Sequence, residues 1–371
     1  MGNRDLIKYE SRFIKRVSNA IVITDKLLGI TESQLIPYRK KDKWGFCTPD
    51  KKIVIDCKYD FVSRFNDGLA IVDKGDKRGY IDKNGTEVIP IIYDTASKFS
   101  EGLAAVRKDG AWGFIDRNGE TTIQCVFDYA DDFLEGLAKV RGRNNKYGLI
   151  DQYGSFIAPF IYEEINDFSE GLAKVKKNSK YGFVDQLGKE AIEIKLDYVD
   201  DFCDGLAAIN KERKYGFINK DEDLVIPFLY NLVNDFSEGL AGVSRDGKYG
   251  FIDKSGDTKI SFSYDLTRFI NSTKFAEGLV GVVKNKKVGF IDYFGNLAVP
   301  FIYDNVDGFS EGLSSVMHDL TDFGFIDKNG DIIIPFIYQS AGPFDEGLAR
   351  VMDWNDNNGF ISKEGIQYWE D

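Results

Sequence analysis

An acidic side chain recurs nine times at one phase of this chain, at Asp67, Glu101, Glu135, Glu170, Asp204, Glu238, Glu277, Glu311 and Glu346, each directly before a Gly-Leu pair. A ladder of carboxylates could bind divalent cations, meet a basic partner, or line a hydrolytic cleft. Each could equally accept backbone N–H bonds at a turn, and that reading best explains an acid in every copy. A second column, Lys43, Lys77, Lys146, Lys180, Lys214, Lys248 and Lys287, precedes a recurring glycine by two residues. Beside the carboxylates it would only balance charge. Apart from them it would form a basic stripe along Tyr147, Tyr181, Tyr215 and Tyr249, a groove for an anionic polymer.

Machinery for catalysis is sparse. His318 is the one histidine, so any serine or cysteine triad would depend on it, and zinc sites with two or three histidines are excluded. Its place at a strand turn makes it a surface residue rather than a general base. There is no P-loop, no dinucleotide fingerprint, no HExxH and no EF-hand loop, so no cofactor is expected. Cys47, Cys57, Cys125 and Cys203 show no metal-ligand spacing and are read as reduced, buried thiols.

Recognition is better sought where the pattern slips. The 39-residue interval holds about five extra residues over DLTRFINSTKF, and LSSVMHDLTD breaks the usual alternation. Insertions in repeat proteins map to loops on one face, often the binding face. Thr267, Arg268, Asn271, His318 and Asp319, with Tyr147, Tyr181, Tyr215 and Tyr249, are therefore the candidate binding surface.

The elements holding these residues follow from the glycines. Gly45, Gly79, Gly113, Gly148, Gly182, Gly216, Gly250, Gly289, Gly324 and Gly359 are spaced by 34, 34, 35, 34, 34, 34, 39, 35 and 35 residues. Such self-similarity marks a repeat architecture. Within one period, short apolar runs rich in β-branched and aromatic residues are separated by turn signals: Gly-Leu, then Lys108-Asp109-Gly110, then Asn118-Gly119. Asn-Gly between apolar runs suggests a type I′ hairpin turn. A pure phenylalanine column, Phe65 through Phe344, implies a core between neighbouring units. Pro90, Pro159, Pro227, Pro300 and Pro335 should fall where the last strand ends.

The expected fold class is therefore all-β: a tandem array of about ten three-stranded antiparallel meanders over residues 35–371. Residues 1–34 are read as an N-terminal cap, part helical, with Tyr368 and Trp369 closing the other end. An open solenoid or superhelix is expected, with a β-propeller as the alternative. Propeller blades usually carry four strands in ~40 residues, in circles of 4 to 8.

Sixty acidic residues against 48 basic ones disfavour nucleic acid as a general partner. With 43% hydrophobic and 14% aromatic residues, the chain can build a sizeable core. No apolar run of 18 residues and no leader-like N-terminus is present, so a cytoplasmic protein without membrane insertion is expected.

The stretches Trp44-Gly45-Phe46 and Trp112-Gly113-Phe114-Ile115-Asp116, the FSEGLA stretches at Phe99, Phe168 and Phe236, and Pro-Phe-Ile-Tyr at Pro159, Pro300 and Pro335 closely resemble the bacterial WG, or KWG, repeat. The resemblance covers about nine tenths of the chain, with Arg78, Val288, Phe323 and Asn358 replacing the Trp or Tyr before glycine and Glu222 replacing the turn glycine. It implies a β-rich module and no catalytic residues. The expected function is a non-catalytic scaffold or adaptor binding another protein through a curved repeat surface. The alternatives are a glycan or envelope-polymer binder using the Tyr and Trp rows and, last, a hydrolase using the acidic column.

Overall fold

The computed structural model describes residues 34–266 and 274–370. The expected cap lies outside the described residues but for residue 34, and so do Thr267, Arg268 and Asn271. Among the described residues every regular element is a β-strand, and the typical unit has one strand more than the sequence suggests. In the third unit the strands are Thr95–Ala96, Ala104–Lys108, Ala111–Ile115 and Thr121–Phe127, hydrogen-bonded antiparallel in that order. The first is only two residues long, too short to read as an apolar run. It follows the previous unit's last strand after one residue, so the chain crosses between units almost without a loop.

The recurring glycine is placed by that last strand. In the third unit Trp112 pairs with Phe127 but Phe114 with Ile123, so the fourth strand bulges over Gly113. A Cβ on Gly113 would lie 2.5 Å from the Ile123 carbonyl oxygen, and in eight further units the same atom meets the equivalent carbonyl at 2.3–2.8 Å. Close backbone approach, rather than an unusual φ, therefore demands glycine.

Turn chemistry differs from expectation at Asn-Gly. Asn118 is not in the left-handed region; Gly119 is, at φ 82°, and its N–H bonds the Asp116 carbonyl. This is a type I turn followed by a left-handed residue, a three-residue hairpin loop. The Asp116 carboxylate drives it by accepting the Asn118 and Glu120 N–H groups, both at 2.9 Å. Type I′ geometry appears instead at the acid-Gly pairs, where Glu101 and Gly102 have φ of 53° and 86°.

The prolines sit at the middle of the fourth strand, not at its end, as Pro159 does in Phe156–Tyr162. That strand is the sheet edge in most units, where a missing N–H costs no ladder bond. Units without proline carry Asp56, Gln124, Glu193 or Ser261 there, which also blunts the edge.

Units pack face to face through ten hydrophobic clusters among the described residues, each shared by two neighbours. The phenylalanine column supplies the recurring contact: Phe114–Phe133, Phe183–Phe202, Phe290–Phe309 and Phe325–Phe344 have ring centroids 4.8–4.9 Å apart. An open row of ten units has nine such interfaces. The tenth joins Ile36, Tyr38 and Cys47 to Leu348 and Tyr368, from opposite ends of the chain.

Of the two arrangements the sequence allows, the joined ends select the propeller-like ring. Strand Trp369–Glu370 takes the missing first-strand place beside Ile36–Lys40, pairing in parallel. Arg64 donates to the Asp345 carbonyl at 2.6 Å, the Asp345 carboxylate at 3.0 Å and the Leu348 carbonyl at 3.0 Å. Trp44 meets Phe360 edge-on. Each sheet stays open, and none curls into a barrel. Tyr368 and Trp369 thus do close the array, by joining it to its own start. Among the described residues no helix is long and apolar enough to cross a membrane.

Candidate functional site

The nine recurring carboxylates are joints between units. Each stands at the first central position of a type I′ turn, and six of them reach the matching turn of the next unit; Asp67 and Glu135 instead meet Arg117 and Gln186 in the next unit's last hairpin. Glu101, Glu170, Asp204, Glu277 and Glu311 accept the N–H of Gly136, Gly205, Gly239, Gly312 and Gly347 at 2.9–3.1 Å. Their other partner comes from the last hairpin of that same next unit: Gln152, Lys220, Lys254, Lys328 and Lys363. Glu277 and Glu311 feel burial, which raises a carboxyl's pKa, but the paired lysine and the turn N–H outweigh it and hold both below the usual range.

The lysines pair with a different acid, one the sequence reading overlooked. Lys43, Lys77, Lys146, Lys248 and Lys287 reach Asp60, Asp94, Glu163, Asp265 and Asp304, seventeen residues on, at 2.5–3.3 Å, and Lys180 pairs with Asp197. Asp60, Asp94, Glu163, Asp265 and Asp304 also accept an N–H from the following unit's hairpin, as Asp94 does from Gly110. Asp60, Asp94, Glu163 and Asp304 are each the single residue joining two units, so each of these pairs ties three segments together. No free basic stripe remains along these lysines.

The tyrosine column is half-buried and faces the second strand of its own unit. Tyr147, Tyr181, Tyr215 and Tyr249 lie opposite Arg141, Lys176, Asn210 and Ser244. Arg141 lies 5.8 Å from the Tyr147 ring, and Lys176 5.1 Å from that of Tyr181. Tyr215 meets Tyr198 edge-on at 5.7 Å. Tyr249 turns inward over Gly242 and takes the Asn234 amide, so burial raises its pKa.

His318 ends a second strand, with Nδ1 3.2 Å from the Asp319 carboxylate and its ring against Phe336. The adjoining turn, Asp319-Leu320, carries positive φ at both residues. Leu320 is 74% exposed. In the tenth unit, Trp354 is 54% exposed and its indole N–H donates to Asp322 at 2.7 Å, which fixes the ring next to that turn. Other apolar tips are Tyr153, Leu187 and Phe294, each more than 80% exposed, where sister units hold Asn84, Asn118, Ser255 or Asn329. Only Cys47 of the four free thiols is buried, and burial lifts its pKa to about 12.

A second concentration of polar groups lies where the first strand meets the second. The second-strand position held by Ala105, Ala208, Gly242, Gly281 and Ser315 in five units is Lys139 in the fourth and Lys174 in the fifth. Lys139 bridges Asp131 at 2.7 Å and Asp167 of the next unit at 3.8 Å. Lys174 lies 3.9 Å from Asp201, which also accepts the Asn166 amide at 2.9 Å. Tyr129 and Tyr198 donate to Asp131 and Asp200. Burial raises the pKa of Asp200, and likewise that of Asp132. Sequence reasoning passed over these residues because it followed columns that hold; the signal is two adjacent lysines in a column that is small in five units, Ile71 in the second and Arg350 in the tenth. Among the described residues no three His, Cys, Asp or Glu side chains are placed to hold a metal ion.

A family model described as "WG containing repeat" matches nine consecutive segments, residues 44–77, 79–110, 112–147, 147–181, 181–215, 215–249, 249–287, 289–319 and 323–353. No curated protein matches the chain. Similar solved structures include the computationally designed Ika8 protein, 12% identical with a TM-score of 0.41, covering 71% of this chain and 94% of that one. BamB from Moraxella catarrhalis is 10% identical with a TM-score of 0.38, covering 84% and 96%. Kluyveromyces lactis Hsv2 is 10% identical with a TM-score of 0.37, covering 73% and 95%.

Proposed function

We propose that this chain, which belongs to the family of WG-containing repeats, is a non-catalytic scaffold that binds another protein through hairpin tips on its ring. The observation that carries this reading is the placement of its unburied large apolar side chains. Leu320 and Trp354 occupy neighbouring tips in the ninth and tenth units, and the Asp322 hydrogen bond holds the tryptophan in one orientation. A fixed, half-exposed Trp needs little ordering on binding, and such residues are typical anchors of protein interfaces. The recurring carboxylates and lysines are meanwhile engaged between units, which leaves the tips to meet a partner. The same reading keeps the protein in a reducing, cytoplasmic setting, in line with four free thiols.

The test is cross-linking and affinity capture from the native host with the full chain, wild type against Trp354→Ala and Leu320→Ser. Both residues are exposed, so the variants should melt within a few degrees of wild type. A partner retained by wild type and lost from both variants supports the reading. Partners captured equally by all three would sink it.

A further inference from the structure

We infer that the strip across the fourth to sixth units binds a neutral oligosaccharide chain, at a site separate from the Trp354 tips. The first ground is that the fold does not need its charges. Five sister units fill the same second-strand position with alanine, glycine or serine, the second holds Ile71 and the tenth an exposed Arg350, yet here Lys139 and Lys174 are sunk to 20% and 14% exposure among carboxylates. Half-burying an ion pair costs desolvation and seldom stabilises a fold. A local rule broken without structural gain marks a functional position.

The second ground is the chemistry offered. Lys139 is paired with Asp131 and Asp167, and Lys174 with Asp201, while Asp200 stands beside them, so the strip presents no basic field to draw in an anion. What it presents is alternating donors and acceptors, with the Asn166 amide between them. Alongside lie the Tyr198 and Tyr215 rings, packed edge to face at 5.7 Å so that Tyr198 stays 37% exposed. Hydroxyl groups both donate and accept, and can thread such a pattern without displacing its ion pairs. The C–H face of a sugar ring supplies the apolar surface that an aromatic ring requires. The Tyr-to-Asp hydrogen bond recurs in the fourth and sixth units, which suits a polymer with a regular repeat better than a single small solute.

The experiment screens the full-length protein on an array carrying neutral oligosaccharides, acidic oligosaccharides, and lysine-rich and aspartate-rich peptides. The best neutral hit is then titrated calorimetrically at about 50 and 500 mM salt, a range over which exposed ionic attraction is heavily screened. Neutral glycans should be retained, with affinity changing less than about threefold with salt. Lys174→Ala and Tyr215→Ala should each weaken binding at least tenfold, and Trp354→Ala should leave it unchanged. Lys174→Ala installs the residue the third and sixth units already hold, so it should fold, and an unchanged melting temperature confirms this. Retention of charged ligands alone, or neutral binding indifferent to both Lys174→Ala and Tyr215→Ala, overturns the inference. Because the strip and the Trp354 tips sit on different units, each can fail without the other.

Discussion

Two glycines of the sixth unit predict unequal costs for the same added methyl. At Gly216 the backbone φ is ordinary, but a Cβ would sit 2.5 Å from the Ile226 carbonyl oxygen, 3.1 Å from the Pro227 carbonyl carbon and 3.2 Å from the Phe228 amide nitrogen. All three are backbone atoms of the fourth strand, so no side chain can rotate away. Reaching even 3.0 Å requires a shift of at least about half an ångström in a strand whose Ile226 is buried and whose Tyr230 is held opposite Tyr215. Gly205 has the opposite character: φ is +87° and nothing lies within 4 Å of its Cβ position. Its N–H to Glu170 survives substitution. Gly205→Ala should therefore cost about 1–2 kcal/mol, the price of the left-handed region for a residue with a Cβ. Gly216→Ala should cost about 3 kcal/mol or more, the upper range for overpacking against an unyielding wall. Urea midpoints for the two variants measure the difference, with the slope checked for constancy. Gly205→Asn, which tolerates positive φ better, should recover part of the Gly205→Ala loss. Should Gly216→Ala prove no worse than Gly205→Ala, close strand approach is not what demands the repeat glycine.

Three further predictions concern charge. Asp60 and Asp94 are held below the ordinary carboxylate range, first by Lys43 and Lys77 and then by the N–H groups of Gly75 and Gly110; Asp265 is lowered in the same way by Lys248 and Asn285. A depressed folded pKa gives stability that is present above the unfolded value near 4 and is lost as pH falls through the folded one. Thermal melts should thus drop progressively below about pH 4.5, and Asp94→Asn should lower the melting temperature at pH 7 while flattening that decline. Asp200, raised by burial, has the opposite sign: its ionisation opposes folding above its ordinary pKa, so Asp200→Asn should raise the melting temperature at pH 7 and not at pH 3. Lys214 has Asn231 at the position where six sister lysines meet a carboxylate, so Asn231→Asp should complete the series. The variant should be stabilised at low ionic strength, with the gain shrinking in about 1 M salt; an equal effect at both salts would argue against an ion pair.

How far the sequence reaches is clearest in the columns. Phe133 and its counterparts were read as an inter-unit core, and the rings do meet across every interface at which the third strand also carries an aromatic. The acidic column reads as turn carboxylates, and six of the nine do bind a turn, though it is the next unit's turn rather than their own. The lysine partner was missed because Asp94 lies seventeen residues from Lys77 and no local pattern ties them. Trp354 stood in an irregular turn, where periodicity is silent.

Periodic spacing by itself determined the number of units, the all-β class, the apolar positions that meet between units and the phase of every turn, because each follows from local propensity repeated in register. Whether ten such units form a row or a ring depends on the small angle between neighbours, summed ten times. No single repeat encodes that sum, and a slight error in it separates the ends. Tertiary structure decided it by bringing Trp369 beside Arg39 and Asp345 beside Arg64. The same packing set the recurring carboxylates to work as joints, and left Trp354 and the Lys139–Lys174 strip as the places where this ring departs from its own pattern.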